Sequence, residues 1–340
     1  MTGRLENELK IQSLILLNLK SMPEFMTEWY NHLLASSKEA SSCNDFINKT
    51  RRFLFFINKD DIKNILPSDI TLEKVEEYFV LIQTRKTENG EIVKTSDSYK
   101  QGIWFALNNF FGFMYKRNYI SQNYMNYITK PKNKDIQRIN EHRVLLTKND
   151  INNILDSVIN GVGSNKAKAH QNNMKYRDLS IMVLFMQTGM RRTALSEINI
   201  EDIDFNKREL YVIDKGDKRH VYHLTDQLIE YLTKWIYQRN EILKNDTNNA
   251  LFITSNKKRI SGSELYNIVT KYCEESTGKK ISPHKLRSGF CSILYNETGD
   301  AEFVRRAVGH SNIATTQRYI VTNNSEKQIA SEMISQCLFE

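Results

Sequence analysis

The chain has 340 residues, enough for two domains, and is 40% hydrophobic with only 4 Pro and 13 Gly, which excludes a disordered or collagen-like chain and suits a mostly helical globular protein. Its net charge of +8 fits a polyanionic partner but does not by itself separate DNA from RNA or a membrane surface. The 4 Cys (Cys43, Cys273, Cys291, Cys337) form no CxxC pair, so neither a zinc site nor a disulfide scaffold is indicated, and they read as free thiols in a reducing compartment.

No apolar run reaches the length of a membrane span. Ile11 to Leu19 is apolar, but Gln12, Ser13 and Asn18 interrupt it and no small-residue cleavage site follows; it reads as an amphipathic helix, not a signal peptide. A cytoplasmic protein is expected. From Pro23 to Ile128 the periods are helical. Phe25, Trp29, Leu33 and Leu34 mark one stripe, and Phe46, Thr50, Phe53, Leu54 and Ile57 a second. Leu72, Val75, Tyr78, Phe79 and Ile82 mark a third, with Thr71 or Asp69 placed to cap it. Residues 86–96 are polar, hold Asn89-Gly90 and read as a loop. A fourth helix spans about Ser96 to Arg117, with Trp104, Leu107, Phe111 and Met114 on one face. At helical spacing these aromatics read as core before they read as base-stacking platforms. Lys49, Arg51, Arg52, Lys100, Lys116 and Arg117 lie beside the stripes, where they serve either as solvated surface or as phosphate contacts. The stretch from Lys130 through Pro131, Lys132 and Lys134 is basic and helix-breaking, so it reads as an interdomain linker, either a solvated hinge or a segment that tracks a DNA backbone.

Thr147 caps the next helix, with Asp150 three residues on and an apolar face of Ile151, Ile154, Leu155 and Val158. Residues 161–173 are polar and Gly-bearing and read as a loop. Lys175 to Thr188 is almost continuously apolar, a central helix that Gly189 ends, leaving Arg191 on the turn behind a rigid mount. Glu209 to Asp214 and Arg219 to Leu224 read as strands of a hairpin with Lys215 at its tip, a place where Lys can also serve solubility alone. Thr225 caps a helix to about Leu243; a short strand, Leu251 to Thr254, and a helix from Ser261 to about Glu275 follow. Ser282-Pro283 opens a helix on which His284 and Arg287, three residues apart, share the first-turn face, where backbone N–H groups favour a phosphate. Ala301 to Val308 is a further helix, ended by Gly309, with His310 on the turn and a short helix from Ala314 to Tyr319 beyond.

In order, these segments resemble the tyrosine recombinase (phage integrase) family: Thr188-Gly189-Met190-Arg191, Lys215-Gly216-Asp217-Lys218-Arg219 after a strand, His284-Lys285-Leu286-Arg287, Gly309-His310-Ser311, and Thr315-Thr316-Gln317-Arg318-Tyr319. Each motif alone is weak, whereas their joint order and spacing is specific. The resemblance covers about residues 23–320 and includes the helical N-terminal half, down to the Asn123–Pro131 approach to the linker. It implies a mainly α fold with a small β-hairpin or sheet (α+β). The expected parts are an N-terminal extension (1–22), a helical core-binding domain (23–129), a basic linker (130–146), a catalytic domain (147–320) and a tail helix (321–340). Two departures stand out: Ala194 occupies a position where the family often has Glu, with Glu197 one turn on, and Ser288 follows Arg287 where His is frequent.

The implied chemistry is cleavage and rejoining of DNA. Tyr319, a weak nucleophile at neutral pH, attacks a phosphodiester in line. Arg191 and Arg287 present guanidinium forks to the non-bridging oxygens, and His284 and His310 donate further hydrogen bonds, one of them helping to accept the Tyr proton. By resemblance Lys215 is the general acid at the departing 5′-oxygen. One phosphodiester is exchanged for another, so no metal, ATP or other cofactor is expected. Candidate DNA contacts are Lys49, Arg51, Arg52, Lys100, Lys132, Lys134 and Arg219. The resemblance further implies double-stranded DNA as partner, self-assembly into a tetramer on two sites, and no membrane association; an excision or accessory protein is a further candidate partner. An amphipathic tail, with Ile329, Met333, Ile334 and Leu338 on one face, packs either into a neighbouring protomer or onto its own domain. Two rivals are a type IB topoisomerase and a non-catalytic DNA-binding regulator of the same fold.

Overall fold

The computed structural model describes residues 3–132, 146–214, 218–244 and 246–309. These fall into two compact units, 3–132 and 146–309, mostly helical with two small antiparallel sheets. Among the described residues, no helix is long and apolar enough to cross a membrane.

The first unit holds five helices among its described residues: α1 (Gly3–Leu19), α2 (Glu24–Ala35), α3 (Ala40–Ile57), α4 (Leu72–Leu81) and α5 (Asp97–Lys116). Their expected stripes, apart from the exposed Leu34, contribute to one aromatic core. Trp29, Phe53, Phe110 and Phe111 are fully buried; Trp29 meets Phe110 edge-on at 5.1 Å, and Phe53 meets Phe111 at 5.8 Å. Trp29 also donates its indole N–H to Asn109 Oδ1 at 3.0 Å, so burial leaves no polar orphan there. Thr71 caps α4 and Ser96 caps α5 through their side-chain oxygens.

Two expectations change. Residues 3–19 form a helix whose Ile15 and Leu19 are buried in the same core as Phe25 and Met26, so this segment belongs to the helical unit and is not an appendage to it. The segment read as a loop is a hairpin of β1 (Thr84–Lys86) and β2 (Ile92–Lys94), in register from Thr84↔Lys94 to Lys86↔Ile92. Gly90, at φ +83°, closes its turn, where an L-residue is strained. Strands of three residues are too short to show a period of two in sequence.

The second unit is built around α8 (Lys175–Thr188), whose Leu179, Ile181, Met182, Val183, Leu184 and Phe185 are all buried. Before it lie α6 (Lys148–Asn160) and α7 (Asn165–Asn172); after it come α9 (Arg192–Glu197) and a three-stranded sheet, β3 (Ile203–Asp204), β4 (Glu209–Asp214) and β5 (Lys218–His223). Helices α10 (Asp226–Leu243), α11 (Gly262–Thr277), α12 (Pro283–Thr298) and α13 (Ala301–Val308) complete the described part. Capping boxes at Thr147/Asp150 and Ser261/Glu264 start α6 and α11. Helix α7 occupies a stretch read as a loop. It carries no apolar face; its buried Gln171 instead bonds the backbone N–H and C=O of Val162 at 3.0 and 2.8 Å. Residues 251–254 form no strand; two isolated bridges, Asn199↔Ala250 and Ile253↔Arg259, stand there.

One buried carboxylate braces this unit. Asp178 on α8 pairs with Arg177 at 2.8 Å and accepts from the Tyr272 hydroxyl at 2.8 Å. Arg177 also donates to the Ile253 carbonyl at 3.0 Å, so the charge is both paired and hydrogen-bonded. The same network pushes the Tyr272 phenol pKa up, through burial first and the adjacent Asp178 second.

Candidate active site

The apolar run of α8 ends because Gly189 turns left-handed, with φ +57° and its N–H bonded to the Phe185 carbonyl at 3.1 Å. A β-carbon there would lie 2.7 Å from Phe290 Cδ1, so the turn needs glycine for both conformation and space. Met190 is buried behind it, and Arg191 follows in extended backbone as the first residue of the cap of α9. Arg259 fixes the far end of that short helix by donating to the Ser196 and Ile198 carbonyls, both at 3.2 Å, and to Asn199 Oδ1 at 2.6 Å. Arg191 is thus mounted between two anchored turns.

Helix α12 starts as its sequence dictates: Ser282 accepts from the Lys285 N–H, and Pro283 takes a first-turn position that needs no donor. Arg287 is only 4% exposed. Its Nη1 donates to the Gly189 carbonyl at 2.5 Å and its Nη2 to the Val308 carbonyl at 2.8 Å. One guanidinium therefore ties together the turn that leads to Arg191 and the turn that leads to His310. Two of its five N–H donors are committed to this, leaving at most three for an anion.

His284 is exposed on one side, yet its pKa is lowered from the ordinary histidine value. Partial desolvation is the largest cause, followed by the positive charges of Arg287 and then Arg191. The bond from Arg287 to the Gly189 carbonyl brings the first turn of α12, which carries His284, beside the turn that leads to Arg191, so two separate segments meet here. An imidazole beside guanidinium groups is held toward its neutral form, in which it can donate a hydrogen bond from one nitrogen and accept a proton on the other. Ala194 is buried in the apolar core and Glu197 is half-buried at the end of α9. Cys291, one turn beyond Arg287, is pushed up to about 11 by burial, which keeps it a neutral thiol. Cys43, Cys273 and Cys291 are free and buried.

The remaining expected site residues divide into two groups. Lys215, His310, Tyr319 and Lys134, with Cys337 and the tail, lie outside the described residues. The strands leading to Lys215 are in register, Asp214↔Lys218 and Ile213↔Arg219, with Arg219 exposed. In the first unit Lys49 pairs with Asp45 at 2.5 Å and lies over Gly102, where a β-carbon would come within 2.7 Å of its Nζ. Arg52 donates to the Tyr99 hydroxyl at 2.6 Å, and Lys100 pairs with Asp97 at 2.8 Å. Arg51 and Lys132 are exposed. Several of these basic groups therefore also join α3 to α5. Just before the linker, Gln101 donates to the Pro131 carbonyl at 2.6 Å and Trp104 to the Ile128 carbonyl at 2.9 Å, holding the chain end against α5. The roles of Arg259 and Gln101 carry no signal in the sequence, since their partners are remote and mostly backbone atoms.

The pattern of the phage integrase family matches residues 145–326. Tyrosine recombinase XerD of Staphylococcus epidermidis is 35% identical over 159 residues, which is 46% of this chain and 53% of the relative. Tyrosine recombinase XerC of Actinobacillus pleuropneumoniae is 32% identical over 144 residues, 42% of this chain and 46% of the relative. The chain thus spans about half the length of the curated relatives it matches. Among solved structures, XerH site-specific recombinase bound to its difH substrate aligns over 87% of this chain and 80% of its own, with a TM-score of 0.63 at 20% identity. A lambda integrase dimer bound to a core site aligns over 87% and 75%, with a TM-score of 0.58 at 16% identity, a likeness of fold. With the family pattern covering more than half of its residues, the chain belongs to the phage integrase family.

Proposed function

We propose that this chain is a site-specific DNA recombinase that cleaves and rejoins DNA through a 3′-phosphotyrosyl intermediate at Tyr319. The observation that carries the reading is the Arg287 guanidinium, which bonds the Gly189 carbonyl just before Arg191 and the Val308 carbonyl, and so gathers Arg191, His284 and Arg287 around the N-terminus of α12. Such a cluster fits a phosphate whose non-bridging oxygens gain charge during in-line displacement. Tyr319 Oη forms the new bond to phosphorus as the bond to the 5′-oxygen breaks. Its proton passes to a histidine, His284 or His310, and Lys215 protonates the departing 5′-oxygen. The phosphodiester is exchanged, not hydrolysed, so a second 5′-hydroxyl can reverse the step and rejoin the strands.

The helical unit, proposed as residues 23–129 with α1 packed onto it, would grip the duplex through Lys49, Arg51, Arg52 and Lys100. Residues 130–146, with Lys132 and Lys134, would follow the backbone to the catalytic unit, 147–320, where Arg219 adds a contact. Strand exchange needs four sites, hence a tetramer on two duplexes, with the tail at 321–340 packing within or between protomers and an excision or accessory protein as a candidate regulator. XerH bound to difH, and lambda integrase as a tetramer on a Holliday junction, are precedents of the same fold.

The test uses a duplex substrate nicked so that the released 5′-fragment diffuses away. Wild type is expected to leave a denaturant-resistant protein–DNA adduct on its cognate site. Tyr319→Phe should form none while binding DNA within about twofold of wild type. An adduct retained by Tyr319→Phe would remove the nucleophile assignment, and relaxation of any plasmid regardless of sequence would favour a topoisomerase.

A further inference from the structure

One ring links the hairpin to the turn behind α13. Gly309 ends α13 at φ +68°, its N–H bonded to the Arg306 carbonyl at 3.2 Å. The carbonyl just before it, that of Val308, is held by Arg287. A β-carbon built on Gly309 would stand 2.2 Å from His220 Cε1 and 2.5 Å from His220 Nε2, so the imidazole edge lies directly against the Gly309 α-carbon. His220 sits on β5, opposite Val212 of β4, and its ring stacks on Tyr222 at 6.2 Å with 30° between planes. The strand that leaves the Lys215 tip therefore carries, five residues on, the side chain that abuts the residue immediately before His310.

The chemistry proposed above has no use for His220. It is too far along the strand to be the tip residue, and it faces a backbone turn. Yet Gly309 must be glycine partly because that ring fills the space a side chain would need. Arg287 fixes this turn through a carbonyl and His220 fixes it through an α-carbon. We propose that His220 is a positioning residue: by bracing Gly309 it fixes the end of α13, the residue immediately before His310, against β5. This rests on the recombinase reading, with His310 as a donor to the phosphate.

The experiment measures single-turnover cleavage by the full chain on the nicked duplex, with DNA affinity measured in parallel. His220→Ala should slow cleavage by about ten- to a hundredfold, the scale of a misplacement of about 1 Å, with affinity changed by less than about twofold. His220→Gln, similar in length and with an amide near the position of Nε2, should recover to within about threefold of wild type. On DNA with a sulfur in place of the bridging 5′-oxygen, which needs no general acid, the His220→Ala defect should persist. Wild-type cleavage by His220→Ala, a His220→Gln variant as slow as His220→Ala, or full rescue by the sulfur substrate would each overturn the proposal, the last by assigning His220 to Lys215 instead. If wild type forms no adduct at all, the recombinase reading falls, and this inference falls with it.

Discussion

Replacing Arg287 by Met tests whether this residue is structural as well as chemical. Methionine keeps much of the volume but removes the charge and every donor. In the wild type, Arg287 supplies Nη1 to the Gly189 carbonyl at 2.5 Å and Nη2 to the Val308 carbonyl at 2.8 Å, both in the buried interior. A buried carbonyl left without a donor costs about 1–3 kcal/mol. Two of them amount to about 2–6 kcal/mol, against which stands the relief of no longer burying a charge. A net loss of about 2–4 kcal/mol is expected. Lysine should recover only part of it, because one ammonium cannot reproduce the two-pronged span between the carbonyls. Native-state hydrogen exchange read by mass spectrometry, on peptides from α8, α12 and α13, reports the opening free energies. Arg287→Met should weaken protection there, and Arg287→Lys by less. An opening free energy in Arg287→Met within about 0.5 kcal/mol of wild type would refute the idea that Arg287 joins the two turns.

Other consequences follow from the same geometry. Because the His284 pKa lies below its ordinary value, the folded state binds fewer protons than the unfolded state between the lowered pKa and about 6.5; this residue's contribution to stability should rise with pH across that window and level off above it. Arg191→Ala removes one repelling charge and should raise the His284 pKa in an NMR titration assigned with His284→Gln; a fall would contradict the placement. Gly189→Ala forces a β-carbon onto φ +57° and to 2.7 Å from Phe290 Cδ1. It should cost about 1–2 kcal/mol for the backbone and about 1–3 kcal/mol for the overlap, with Phe290→Ala relieving only the second part in denaturant titrations. Lys215→Ala should slow cleavage of ordinary DNA far more than of DNA with a sulfur at the 5′-leaving position, and equal slowing on both would remove the general-acid role.

Much of the local framework was legible because it rests on short-range rules. A Gly after a long apolar run placed the stop at Gly189, and Thr147, Ser261 and Ser282-Pro283 announced their helix starts. The aromatic stripes of α2 to α5 were readable as core because burial follows helical spacing. Helix α7 was missed because it lacks an apolar face, and the 84–94 hairpin because its strands are short and polar. The contacts that join the site were illegible for another reason. Arg287 reaches carbonyls 98 and 21 residues away, and His220 touches an α-carbon across the fold, so neither leaves a local pattern. Sequence order could name Arg191, His284 and Arg287 as a group, but only the fold shows Arg287 joining the turn before Arg191 to the end of α13.

The central claim is that Tyr319 carries DNA by its 3′-phosphate. The most direct measurement is digestion of the trapped wild-type adduct with protease and nuclease, followed by mass spectrometry of the nucleotide-bearing peptide. The account predicts a 3′-linked nucleotidyl phosphate on the peptide containing Tyr319, with a free 5′-hydroxyl on the other DNA fragment. A modified peptide lacking Tyr319, or a 5′-linked nucleotide, would contradict it.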